Sequence, residues 1–149
     1  MELSLVRESR QVKTLHTAYR VRDLERSVDF YGKVGFREIG RVTIPDGSVL
    51  VMLNLPGDGD VVTLELVHDR TRESIEIGNG FSHIVVQVED LAATLADLAR
   101  KGIACDGLEH PAGAAGPATC NVHDPDGYCI ELVQWPPGHP DGITSADFR

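Results

Sequence analysis

Two stretches decide the reading of this chain: His16-Thr-Ala-Tyr-Arg-Val-Arg-Asp-Leu24 and His83-Ile-Val-Val-Gln-Val-Glu-Asp-Leu91. Set one above the other, they align His, Val, Asp and Leu at a constant offset of 83 − 16 = 67. The same offset carries Val28 onto Leu95, Tyr31 onto Leu98 and Gly35 onto Gly102. Farther along, Leu64-Glu65-Leu66-Val67 aligns with Ile130-Glu131-Leu132-Val133 at 131 − 65 = 66, one residue shorter. A self-similarity of this length marks a duplicated structural unit. Each copy opens on a histidine and closes on a glutamate.

The pattern inside each copy says how it folds. Leu15 to Val21 and Ile84 to Val88 alternate as half-buried strands do, and each runs into an Asp suited to cap a helix. Leu24, Val28 and Tyr31, like Leu91, Leu95 and Leu98, recur at i, i+4, i+7 on one helical face, and Gly35 and Gly102 supply the stop. Strands are expected over Phe36 to Val42, Ser48 to Asn54 and Val61 to Val67, separated by Pro/Asp/Gly turns. In the second copy Ala118 to His123 and Tyr128 to Gln134 flank an Asp-Pro-Asp-Gly turn, while His110 to Pro117 is loop-like. The expected architecture is α+β: two βαβββ modules, about residues 14–67 and 81–134, in one domain over residues 1–149. Residues 1–13 and 135–149 read as terminal extensions.

Composition limits the partners. The chain has 149 residues, 42% of them apolar, and 23 acidic against 14 basic residues give a net charge of −9. Such a chain repels phosphate backbones and anionic membranes, so neither nucleic acid nor a membrane is expected as a partner. No signal-peptide pattern and no run of about 18 apolar residues occurs, which makes a cytoplasmic location the default. Cys105, Cys120 and Cys129 show no CxxC spacing and read as reduced, packed thiols.

The closing glutamates carry the chemistry. Glu65 and Glu131 stand among Val, Leu and Ile, where an unpaired carboxylate is costly to bury. If the two copies pack about a pseudo-twofold axis, His16, Glu65, His83 and Glu131 converge on one divalent ion. Two imidazoles and two carboxylates suit nickel, cobalt, iron, manganese or zinc, and remaining coordination positions are left for a substrate. Arg20 shares a strand face with His16 and either binds a substrate carboxylate or pairs with a buried glutamate. His68, His110, His123 and His139 lack symmetric counterparts and read as surface or turn residues. Asp124-Pro125-Asp126-Gly127 reads as a turn and lacks the other ligands of a calcium loop.

Over about residues 14–134 the chain resembles the vicinal-oxygen-chelate superfamily (glyoxalase/bleomycin resistance/dioxygenase), most closely its bacterial glyoxalase I branch. The resemblance rests on His16-Thr-x-x-Arg20-Val-x-Asp-Leu-x-Arg-Ser-Val-Asp-Phe-Tyr31, Leu64-Glu65-Leu66, Gly80-Phe81-Ser82-His83-Ile84 and Asp124-Pro-Asp-Gly-Tyr-x-Ile-Glu131-Leu. It implies a glyoxalase-like incomplete barrel, with His16, Glu65, His83 and Glu131 as metal ligands. It implies a lyase that isomerises the hemithioacetal of methylglyoxal and a small thiol, glutathione or another, to the S-lactoyl thioester through a metal-bound enediolate. Glu131 would be the catalytic base and Glu65 its symmetry-related partner. His16 at the first ligand position favours nickel or cobalt over zinc, and a homodimer with interfacial sites is implied. Arg20 matches a residue that holds a glutathione carboxylate, whereas Asp69 stands where an Asn is usual. Loop 110–117 also lacks a Lys. Both departures leave room for another thiol. Epimerase, thiol transferase, dioxygenase and metabolite-binding readings compete, although retention of all four ligand positions counts against the last three.

Overall fold

The computed structural model describes residues 11–149. Of the N-terminal extension expected over 1–13, residues 1–10 lie outside the described residues. The first unit runs β1 (Thr17–Arg20), α1 (Leu24–Val34), β2 (Arg37–Thr43), β3 (Val49–Asn54) and β4 (Leu64–His68). The second runs β5 (Ile84–Gln87), α2 (Leu91–Arg100), β6 (Ala118–His123) and β7 (Cys129–Gln134).

Both helices begin as the sequence predicts. The Asp23 carboxylate accepts from Arg26 N and that of Asp90 from Ala93 N, each answering one of the orphan donors of a first helical turn. Gly35 ends α1 at φ 127, where a side chain would be strained, while its own N–H and that of Phe36 donate to Tyr31 O.

Strand order is β1-β4-β3-β2 in one sheet and β5-β7-β6 in the other. β1 pairs parallel with β4 and β5 with β7, so the opening and closing strands of each repeat are neighbours. The second copy is abbreviated: where the first has β2, it has only an isolated bridge between Glu109 and Thr119, closed by two 2.8 Å backbone bonds. The following segment, His110-Pro-Ala-Gly-Ala-Ala-Gly-Pro117, explains this. Its prolines lack donors and its glycines resist the extended register. The sheets do not close into a barrel.

Each helix covers one face of its sheet. Tyr31, Leu53, Leu66, Leu91, Leu98, Ile130 and Leu132 are fully buried between them, and a single apolar cluster spans both units. The opposite faces, which carry Glu65 and Glu131, stay open. Val42 and Val85 are 49% and 56% exposed there. Residues 135–149, read from sequence as a tail, fold back: the Trp135 and His139 rings stack, and Gln87 Nε2 donates to His139 O.

Candidate metal centre

The repeat places one histidine-glutamate pair in each unit. His16 immediately precedes β1, and the register sets Ala18 beside Glu65 of β4, so His16 and Glu65 reach the same open face. His83 precedes β5 in the same way, with Val85 beside Glu131. In both pairs the imidazole Nε2 lies 3.6 Å from a carboxylate oxygen. That is too long for a hydrogen bond. Two donors about 2.1 Å from one ion stand about 3.0–3.4 Å apart, so each pair fits two ligands sharing an ion with little adjustment. The chemistry of the donors fits as well, being imidazole nitrogen and carboxylate oxygen without thiolate.

Among the described residues the four side chains stand as two separate pairs, each imidazole beside the glutamate of its own unit. Among the described residues, no three His, Cys, Asp or Glu side chains form a metal-binding cluster. The reason lies in the topology: each pair is built within its own unit, and β1 and β5 are edge strands of separate sheets. The chain therefore presents two candidate half-sites, one histidine-glutamate pair in each unit.

The surroundings of each half-site differ. Ser82 Oγ is 2.7 Å from His83 Nδ1, which fixes that ring with Nε2 toward Glu131. Ser82 was not singled out from sequence, although it lies in the Gly80-Phe81-Ser82-His83 stretch that carries the resemblance. Across β3 the neighbour of Glu65 is Met52, whereas across β6 the neighbour of Glu131 is Asn121. One wall is apolar and the other polar.

Arg20 and Asp69 lie at the far end of the first open face, Arg20 Nε being 3.9 Å from Asp69 Oδ2. Asp69 Oδ1 accepts from Thr71 N at 2.9 Å and Thr71 Oγ1 at 2.7 Å, and Oδ2 accepts from Arg72 Nε at 3.0 Å. The Thr71 bonds, with Arg72 beside them, hold the Asp69 carboxyl down at about 2. The other histidines stand apart from the half-sites. His123 faces Asp106 and His139 faces Asp147, while His68 is half-buried and its Nδ1 has no partner among the described residues. All three cysteines are free, and burial pushes the Cys120 thiol up to about 11 and that of Cys129 in the same direction. Neither is poised as a nucleophile.

The Asp124 turn holds the two units together. Asp124 is 5% exposed. It accepts from Tyr31 OH at 2.8 Å, from Asp126 N at 2.9 Å and from Tyr128 N at 2.8 Å. Tyr19 OH bonds to Tyr31 OH, and Tyr128 OH donates to Arg20 O at 2.8 Å.

The glyoxalase/bleomycin resistance protein/dioxygenase superfamily model matches residues 13–132. The chain belongs to this superfamily. Its duplicated units are thus those of a superfamily member. It is 34% identical over 125 residues to the lactoylglutathione lyase of Neisseria meningitidis serogroup A, covering 83% of this chain and 91% of that enzyme. It is 33% identical over 122 residues to a probable lactoylglutathione lyase of Synechocystis, covering 80% and 93%. The structure of the trypanothione-dependent glyoxalase I of Leishmania major aligns at a TM-score of 0.67 with 31% identity, covering 83% of this chain and 87% of that one. These relatives support a glyoxalase-type function acting on a small molecule. No helix among the described residues is long and apolar enough to cross a membrane.

Proposed function

We propose that this superfamily member is a metal-dependent glyoxalase I-type lyase, converting the hemithioacetal of methylglyoxal and a small thiol into the S-lactoyl thioester in the cytoplasm. The observation that carries the reading is the matched pair of half-sites, His16 with Glu65 and His83 with Glu131, each at 3.6 Å. A lone pair offers an ion too few ligands, and the open sheet faces with their exposed Val42 and Val85 call for cover. A homodimer answers both needs, His16 and Glu65 of one protomer meeting His83 and Glu131 of a second copy.

A divalent ion held by these four residues, nickel or cobalt in preference to zinc, manganese or iron, supplies a positive charge that acidifies the substrate C–H and stabilises the anion formed when it is removed. The protein's part is proton transfer and positioning. Glu131 takes the proton from the carbon bearing sulfur and returns it to the adjacent carbon, so the step is an isomerisation that consumes no co-reactant. Glu65, related to it by the repeat, faces the opposite side. Ser82 holds the His83 ring, and Arg20 anchors the far end of the thiol.

The test is thioester absorbance at 240 nm, with metal-free protein restored by Ni²⁺, Co²⁺ or Zn²⁺ and methylglyoxal premixed with glutathione. Metal-dependent turnover that falls by about a hundredfold or more in Glu131→Gln is expected. Absence of turnover from a stoichiometrically metal-loaded protein, with glutathione and with other small thiols in its place, would overturn the lyase reading.

A further inference from the structure

Cys105 and Cys120 lie outside both half-sites and face each other. Cys120 stands on β6 across from Leu132 of β7, buried on the core side of the sheet. Cys105 lies in the segment that follows α2, half-buried, and packs against the same apolar cluster. The Cys120 thiol is in hydrogen-bond contact with the Cys105 thiol and with the backbone of Gly107. Gly107 N also donates to Cys105 Sγ at 3.4 Å, so one N–H addresses both sulfurs. The two backbones are joined beside the pair, where Asp106 N donates to Asn121 O at 3.1 Å. A bond of that kind sets neighbouring backbones about 5 Å apart, within the span of a disulfide. Cys129 is placed otherwise. Across from His123 in the register, it shares the open face with Glu131 and is separated from Cys120 by the sheet.

Two thiols in contact, neither used by the proposed metal centre, make a dithiol. We infer that Cys105 and Cys120 are a reversible disulfide site, oxidised by exchange with a low-molecular-weight disulfide of the glutathione type. In the first step the Cys105 thiolate attacks one sulfur of the small disulfide, whose S–S bond breaks; one small thiolate leaves and a mixed disulfide remains on Cys105. Cys105 goes first because it is the more accessible, whereas burial, with the Cys105 thiol alongside, pushes the Cys120 thiol up to about 11. In the second step Cys120 gives its proton to the departing small thiolate and bonds to Cys105 Sγ in its place. Two protein thiols are oxidised and one small disulfide is reduced to two thiols, so an excess of small thiol reverses the reaction. The bond closes a ring over residues 106–119 and anchors it on β6 next to Asn121, the cross-strand neighbour of Glu131. It uses no half-site residue and stands independently of the lyase reading.

The experiment is a redox titration of the full chain. Reduced protein is equilibrated in buffers of graded reduced-to-oxidised glutathione, quenched with acid, alkylated in denaturant and digested for mass spectrometry. As the buffer becomes oxidising, the alkyl adducts on Cys105 and Cys120 should vanish together as a peptide linking the two appears, and dithiothreitol should restore both. The same titration in urea gives the baseline of the unfolded chain. Because the folded chain holds the thiols in contact, the linked peptide should appear at a glutathione poise at least about tenfold more reducing than in urea. In Cys120→Ser the reaction should stop at the first step, with glutathione attached to Cys105. The two wild-type titrations decide even where that variant fails to fold. A folded wild type that keeps Cys105 and Cys120 alkylatable, that stops at the mixed disulfide, or that links Cys129 instead overturns the inference. So does a linked peptide that forms no more readily in the folded protein than in urea.

Discussion

Asp124 shows how one residue can be costly and useful at once. Burial pushes its carboxyl above the usual range, while the Tyr31 hydroxyl and the backbone N–H groups of Tyr128 and Asp126 pull it back only in part. With the folded value above the unfolded one, the folded state holds the proton more tightly. The stability this contributes is full below the unfolded carboxyl range near about 4 and is lost as pH rises through the raised folded value. Asp124→Asn keeps an oxygen for the two backbone donors and removes the titration. Denaturation midpoints of wild type and variant compared between pH 4 and 7 should therefore shift in the variant's favour as pH rises. A difference independent of pH would show that Asp124 does not titrate in that window.

At the scale of elements, the Asp124 turn, helix α1 and strand β1 form one hydrogen-bonded chain through Tyr31 and Tyr19. Tyr31→Phe strips the hydroxyl donor from a buried carboxylate oxygen and should destabilise the protein by about 1–3 kcal/mol. Tyr19→Phe leaves the Tyr31–Asp124 bond in place and should cost less. Urea midpoints of the two variants check the order, and equal losses would mean that Asp124 does not depend on Tyr31. This chain also marks where the sequence stopped being legible. Helices α1 and α2 were readable because Asp23, Asp90, Gly35 and Gly102 act on the nearest turn. The strands were readable because alternation is local. The Tyr31–Asp124 bond joins residues 93 apart and leaves no periodic trace. The missing strand of the second copy is hinted at by Pro111 and Pro117, but what replaces it, the Glu109–Thr119 bridge, is a matter of packing. Duplication exposed both histidine-glutamate pairs, because each recurs at nearly one offset. A repeat says which positions are equivalent and not which equivalents meet, so the split into half-sites needed the two separate sheets to be seen.

At the scale of the molecule, that split makes the proposed metal centre a property of two chains. In the proposed dimer a protomer carries both halves but faces them into different sites, so a defect in His16 and a defect in His83 spoil different halves. His16→Ala and His83→Ala proteins should each lack metal-dependent thioester formation as homodimers. When they are mixed and allowed to exchange subunits, half of the dimers pair one chain of each kind. In such a dimer one site receives both defects, while the other combines the intact His16 and Glu65 of one chain with the intact His83 and Glu131 of the other. Activity should therefore return to about a quarter of the wild-type level, with one Ni²⁺ bound tightly per mixed dimer. A site closed within a single chain gives no recovery at any mixing ratio, because neither chain then holds four ligands of its own.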